Sequence, residues 1–177
     1  MQPLPNSVLA RLNAADIALC VRINRFNRDR SVQRFFGMVS RLGDGSFWYG
    51  LMALLLIVER DAALKPVLHM IAVGLIGYAL YKWLKQKTLR PRPCNLHSAI
   101  TRTTAPLDEF SFPSGHTLHA VGFGLVAIAY FPWLAPVLLP FIALVALSRI
   151  VLGLHYPSDV VAGAMLGHGL ATLSFML

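Results

Sequence analysis

The chain has 177 residues, of which 56% are hydrophobic and only 14% charged, with a mean hydropathy of +0.59. The apolar residues come in runs of membrane-spanning length, which excludes a soluble globular protein. The net charge of +8 sits on too small a polar surface for a nucleic-acid module, so no nucleic-acid partner is expected, and lipid head groups or a phosphorylated substrate fit better. By length the chain is one domain, 1–177. It divides into an amphipathic N-terminal region, 1–42, and a helix bundle, 43–177. Cys20 and Cys94 do not make a disulfide framework. Met1 to Asn6 lacks the basic start and apolar block of a cleavable signal peptide.

Residues 7–42 hold apolar positions at helical spacing, interrupted by Asp16 and by seven Arg between Arg11 and Arg41. Such a segment should lie in the interface with its Arg stems snorkelling. Two helices are expected there, broken near Asn24–Asn27. Leu42 to Gly45 reads as a turn, and Phe47, Trp48 and Tyr49 as an aromatic belt. Spans are expected over about 46–62 and 66–84. A polar segment of about 28 residues follows, Lys85 to Phe112, with prolines at 91, 93 and 106, and irregular connections of that length are usually functional or disordered. Further spans are expected over about 114–131, 136–154 and 158–176, with Gly163, Gly167 and Gly169 permitting close helix contact. The fold class is all-α, a polytopic membrane bundle of five to six spans with N-terminal amphipathic interfacial helices.

Three stretches carry the chemistry: KQKTLRPRP from Lys85 to Pro93, PSGH from Pro113 to His116, and SRIVLGLHYPSD from Ser148 to Asp159. The two spans between His116 and His155 return the chain to the side it left, so all three share one membrane face. On a continuous helix Arg149 and His155 would differ by roughly 240° and about 9 Å of rise, but Pro157 marks the start of a new helix. That turn can bring Asp159 back to the ring of His155. A carboxylate on one ring nitrogen fixes the tautomer and leaves the other as a nucleophile. Lys85, Arg92 and Arg149 supply cationic donors for phosphate oxygens. PSGH opens a helix whose free N–H groups attract an anion; Gly115 lets an oxygen approach, and Ser114 adds a hydroxyl. His116 is then the general acid for a leaving oxygen. No metal or cofactor is expected, since fixed cations can stabilise a transferring phosphoryl group and no Cys or carboxylate cluster accompanies the His residues. His69, His97, His119 and His168 have no such companions; His119 is expected to be structural or lipid-facing, and His168 a buried helix contact.

The chain resembles the type 2 phosphatidic acid phosphatase (PAP2) superfamily. The family pattern K-x6-RP falls on Lys85, Arg92 and Pro93, PSGH on Pro113 to His116, and SR-x5-H-x3-D on Ser148, Arg149, His155 and Asp159. The resemblance covers roughly residues 43–177. It implies a phosphohistidine on His155 oriented by Asp159, protonation by His116, a phosphate cradle of Lys85, Arg92, Ser114, Gly115 and Arg149, and metal independence. Family members commonly have six spans, and the Arg-rich region stands here in place of the first.

The resemblance implies a bacterial membrane lipid phosphatase similar to those acting on undecaprenyl diphosphate; relatives acting on phosphatidylglycerophosphate, phosphatidate or lipid A are the alternatives. Lys87, Arg90 and Arg102 read as spare charge favouring a diphosphate. A lipid-to-lipid phosphotransferase would use His155 equally well, and a lipid carrier or scramblase would need only the cations. A Lys and Arg excess ordinarily marks the cytoplasmic side, but the cradle charges serve the substrate. The resemblance implies the bacterial inner membrane, with the site facing the periplasm or exterior.

Overall fold

The computed structural model describes residues 8–105 and 108–177; Met1 to Asn6 and Pro106, named above, lie outside them. The described residues are mostly helical, with a longer irregular stretch before Gly115 and one isolated antiparallel bridge between Pro91 and Phe110. The helices are α1 (Val8–Asn24), α2 (Arg30–Arg41), α3 (Phe47–Val58), α4 (Asp61–Thr88), the short α5 (Pro93–Leu96), α6 (Gly115–Tyr130), α7 (Ala135–Val151) and α8 (Pro157–Ser174).

The break between α1 and α2 falls where the asparagines stand, as a 3-10 turn over Arg25–Arg28. Asn24 donates to the carbonyls of Thr101 (3.0 Å) and Val151 (2.8 Å) and accepts from the Thr101 N–H (2.8 Å). Asn27 donates to the same Thr101 carbonyl at 2.8 Å. The amide side chains thus satisfy backbone groups that burial would leave unpaired. They clamp the N-terminal region onto the loop before α6 and the end of α7. Asp29 then caps α2, accepting from the N–H groups of Ser31 and Val32.

The expected turn at Leu42 to Gly45 is instead a π-helical winding, Leu42–Ser46, that joins α2 to α3. Gly45 absorbs the kink with φ +137°, a conformation closed to residues with a Cβ. The result is a helix over Arg30–Val58, 29 residues long and apolar enough to cross a membrane. Its Arg-rich half, α2, runs without a break into α3.

Asp61–Thr88 and Pro132–Val151 are also long and apolar enough to span. The 16-residue α6 and 18-residue α8 are shorter or less apolar. They hold small residues because they pack most closely: α6 is central, against α4, α7 and α8. A Cβ at Gly163 or Gly167 would run into the Ser114 or Leu118 carbonyl of α6, whereas Gly169 has open space beside it. The core lies among Trp48, Leu55, Met70, Val126, Leu138 and Val145, while Leu54, Ile57, Leu68, Leu75, Val137 and Met165 face outward. An outer apolar belt of this size suits lipid, not water. His69 is bonded to the Tyr130 hydroxyl (3.1 Å) and Ser174 Oγ (2.7 Å), tying the bundle together. His168 is exposed, not the buried contact expected.

Candidate active site

At one end of the bundle the three motif stretches meet. Helix α4 is closed by Leu89 in the left-handed conformation, its N–H returning to the Lys85 carbonyl. The chain then passes extended through Arg92 before Pro93 opens α5. Helix α7 ends at Val151. The N–H groups of Leu154 and His155 both donate to the Arg149 carbonyl at 3.1 Å, winding the connection tightly enough to place His155 beside Arg149. Helix α8 begins at Pro157, where the first helical position costs no hydrogen bond.

Lys85, Arg92, Gly115, His116, Arg149 and His155 line one cavity of 380 Å³. Both imidazoles and the three motif cations therefore share a single mouth. Arg92 is buried, its guanidinium donating to the Leu154 carbonyl (2.8 Å) and to Nε2 of His155 (3.1 Å). As acceptor there, Nε2 is unprotonated, which puts the ring proton on Nδ1. Nδ1 faces Oδ2 of Asp159 at 3.6 Å, longer than a hydrogen bond but close for charge. Asp159 is fully buried, and its Oδ2 also accepts from the Tyr156 N–H at 2.8 Å. Burial first, then the charges of Arg92, Arg149 and Lys85, hold His155 well below the ordinary histidine range. The ring is thus neutral at physiological pH.

Ser114 and Asp159 do not line the cavity. Ser114 is buried as the cap of α6, its hydroxyl sharing a 2.9 Å hydrogen bond with that of Thr117. Its N–H donates to the Asp159 carbonyl at 3.0 Å, so the first turns of α6 and α8 are locked together. Lys87, Arg90 and Arg102 do not line the cavity either. His119 does line it, with Nε2 on the Gly74 carbonyl at 3.1 Å and its ring stacked on Phe123.

Three contacts escaped the sequence reading. Asp44, in the π-helical winding, contacts Nε2 of His116 through Oδ1. Ser40, buried on α2, accepts from a terminal nitrogen of Arg149, whose Nε has no hydrogen-bond partner among the described residues. Asp108 accepts from Lys85 through both oxygens, at 2.7 and 2.6 Å, and from Arg92 at 2.6 Å. Burial opposes ionisation of Asp108, but hydrogen bonds and charge from Lys85 and Arg92 hold its carboxyl below the usual range. The signal available for all three was weak: a polar residue in a helical or turn stretch with no motif around it.

Beyond the cations the cavity continues between α3 and α4, lined by Trp48, Tyr49 and Met52 on one side and Ile71, Leu75 and Tyr78 on the other. Tyr49, Leu75 and Tyr78 are exposed on the bundle's outer surface. The site thus joins a cationic end to an apolar slot that opens toward the membrane.

An all-helical bundle with this motif set at one mouth defines a membrane protein of the PAP2 type. Residues 63–177 match the sequence model of the PAP2 superfamily, and the chain belongs to that superfamily. It is 26% identical over 160 residues to the undecaprenyl-diphosphatase of Sulfolobus acidocaldarius, covering 88% of this chain and 75% of that one. It is 31% identical over 129 residues to the decaprenylphosphoryl-5-phosphoribose phosphatase of Mycobacterium tuberculosis, covering 73% and 71%. Its fold is that of the transmembrane PAP2-type phosphatidylglycerolphosphate phosphatase from Bacillus subtilis, with a TM-score of 0.74 at 23% identity over 97% of this chain and 87% of that one. Aquifex aeolicus LpxE superposes with a TM-score of 0.73 at 25% identity, over 90% and 94%.

Proposed function

We propose that this membrane PAP2-type lipid phosphatase removes a terminal phosphate from a polyprenyl-linked substrate, undecaprenyl diphosphate first among them, through a phosphohistidine on His155. The phosphoryl group sits among Lys85, Arg92 and Arg149 and the N–H groups of Gly115 and His116, with Ser114 holding that helix turn in place as its cap. Nε2 of His155 attacks phosphorus while Asp159 steadies the proton on Nδ1. The bond to the bridging oxygen breaks as His116 gives that oxygen a proton, and the prenyl phosphate leaves. Water, deprotonated by His116, then attacks the phosphohistidine, releasing inorganic phosphate and restoring both imidazoles. The fixed cations carry the charge stabilisation that a metal carries elsewhere, so turnover should survive chelation.

One observation carries this reading: His155 lines a cavity together with His116 and three cations, its Nε2 beside the Arg92 guanidinium and its Nδ1 facing the buried Asp159. The apolar slot between α3 and α4 supports a lipid tail that stays in the bilayer while the head group reacts. On this reading α6 and α8 cross the membrane with the three longer helices, and the site faces outward from the bacterial inner membrane.

The mycobacterial relative's name favours a second reading, a phosphate on a lipid-linked sugar. Phosphatidylglycerophosphate, phosphatidate and lipid A are further substrates to compare. Phosphate release in detergent micelles across these lipids, with chelator present, tests the proposal. Release from prenyl diphosphate supports it, and head-group binding without release from any of them would leave a carrier or scramblase. Phosphorylated lipid product in place of free phosphate would make it a phosphotransferase.

A further inference from the structure

Arg90, two residues before the motif Arg92, points away from the cavity and into the back of the site. Its Nη1 donates to Oδ1 of Asp159 at 2.6 Å and to Ser158 Oγ at 2.8 Å. Its Nη2 donates to Oδ2 of Asp16 on α1 at 2.7 Å. The guanidinium lies over the Tyr156 ring, 4.1 Å from its centroid. Asp16 in turn accepts from the Ser158 N–H at 2.9 Å. One cation thus joins the N-terminal helix, the first turn of α8 and the carboxylate behind His155.

The division of labour on Asp159 is clear from its two oxygens. Oδ2 takes the Tyr156 N–H and faces His155; Oδ1 takes Arg90. A fully buried carboxylate without a cation tends to take up a proton, and a protonated Asp159 cannot stabilise the imidazolium that forms as His155 attacks. The titratable groups around it are Arg90 from the loop after α4, Asp16 and Cys20 from α1, and His155 and Tyr156 from the α7–α8 turn. Arg90 is the cation among these.

We propose that Arg90 is a positioning residue for phosphoryl transfer, holding Asp159 ionised and aimed at Nδ1 of His155, and that α1 keeps Arg90 in place through Asp16. The Arg-rich N-terminal region then completes the site from behind and does more than rest on the membrane. This rests on Asp159 being the partner of the His155 nucleophile.

The test is phosphate release from undecaprenyl diphosphate in detergent micelles by Arg90→Ala, Arg90→Lys, Asp16→Asn and Asp159→Asn, each with a full pH profile. Arg90→Ala should lose about tenfold or more in kcat, in the range of supporting-residue losses, while KM changes little because Arg90 does not touch the cavity. Removing its charge leaves the buried Asp159 without a cation, so the acidic limb of kcat should move up by about one pH unit or more. Arg90→Lys should recover part of both effects, and Asp16→Asn should show the same change in smaller measure. A loss of thermal stability with an unmoved pH profile, or a raised KM at unchanged kcat, would overturn the proposal. Should Arg90→Ala fail to fold, Arg90→Gln and Asp16→Asn with wild-type profiles would overturn it equally. Asp159→Asn separates the two levels: full activity there removes the reading of the triad, whereas an inactive Asp159→Asn beside a normal Arg90→Ala removes only this inference.

Discussion

Asp108 places both carboxylate oxygens on the ammonium of Lys85, at 2.7 and 2.6 Å, and shares one of them with Arg92. A carboxylate there occupies donors that suit phosphate oxygens, so it competes with any phosphate for the same cations. Its side chain is 35% exposed, so it can swing out. Asp108→Asn should lower the inhibition constant for inorganic phosphate or vanadate several-fold, a change of about 1 kcal/mol. Inhibition assays check this. Because Lys85 and Arg92 hold the wild-type carboxyl below the ordinary range, this contact is lost only as pH falls through that depressed value. The gain from Asp108→Asn should therefore be constant across neutral and mildly acid pH.

His155 shows the opposite sign. Its charged form is disfavoured by burial and then by Arg92, Arg149 and Lys85, so the ring stays unprotonated as pH falls through the ordinary histidine range. The acidic limb of kcat/KM due to this ring should lie below 6.5. Arg92→Gln removes one opposing charge and should move that limb upward, besides weakening phosphate binding. A pH profile of the variant measures both.

Asp44 contacts Nε2 of His116 and so orients the ring proposed above as the proton donor. Asp44→Asn and His116→Gln should therefore slow hydrolysis most where the leaving group is a poor one. For a lipid alkyl phosphate the loss should be about 10²-fold or more. For p-nitrophenyl phosphate, whose leaving group departs without a proton, it should be much smaller. Comparing the two substrates reads out proton donation separately from binding.

Both cysteines are free, and only Cys94 is partly exposed. Burial, then the charges of Asp16 and Asp159, pushes the Cys20 thiol up to about 12, leaving it unreactive at neutral pH. An impermeant maleimide on intact cells should label the wild type and not Cys94→Ser if the site faces outward. Labelling only after lysis would put the site in the cytoplasm.

The motif residues were legible because each stretch carries its own chemistry, and because helix parity brings Lys85, His116 and His155 to one face. Arg149 stood out as an ion inside an apolar run. Asp44 did not, since LGDG reads as a turn and only the +137° of Gly45 within a π-helical winding keeps the chain helical there. Ser40 sat in a stretch whose Arg residues suggested an interface, and its partner Arg149 is more than a hundred residues away. Arg90 read as spare charge for substrate because nothing local sets which way a loop Arg points. Its partners, Asp16 and Asp159, lie on two helices that only the folded bundle brings together.

The central claim is that His155 itself takes the phosphoryl group. Rapid acid-free quenching of enzyme with terminally phosphorus-labelled undecaprenyl diphosphate, followed by peptide mapping, tests it most directly. Label on His155, stable to base, labile to acid and absent from His155→Ala, is the predicted result. Turnover by His155→Ala at the wild-type rate, or label carried on any other residue, would contradict it.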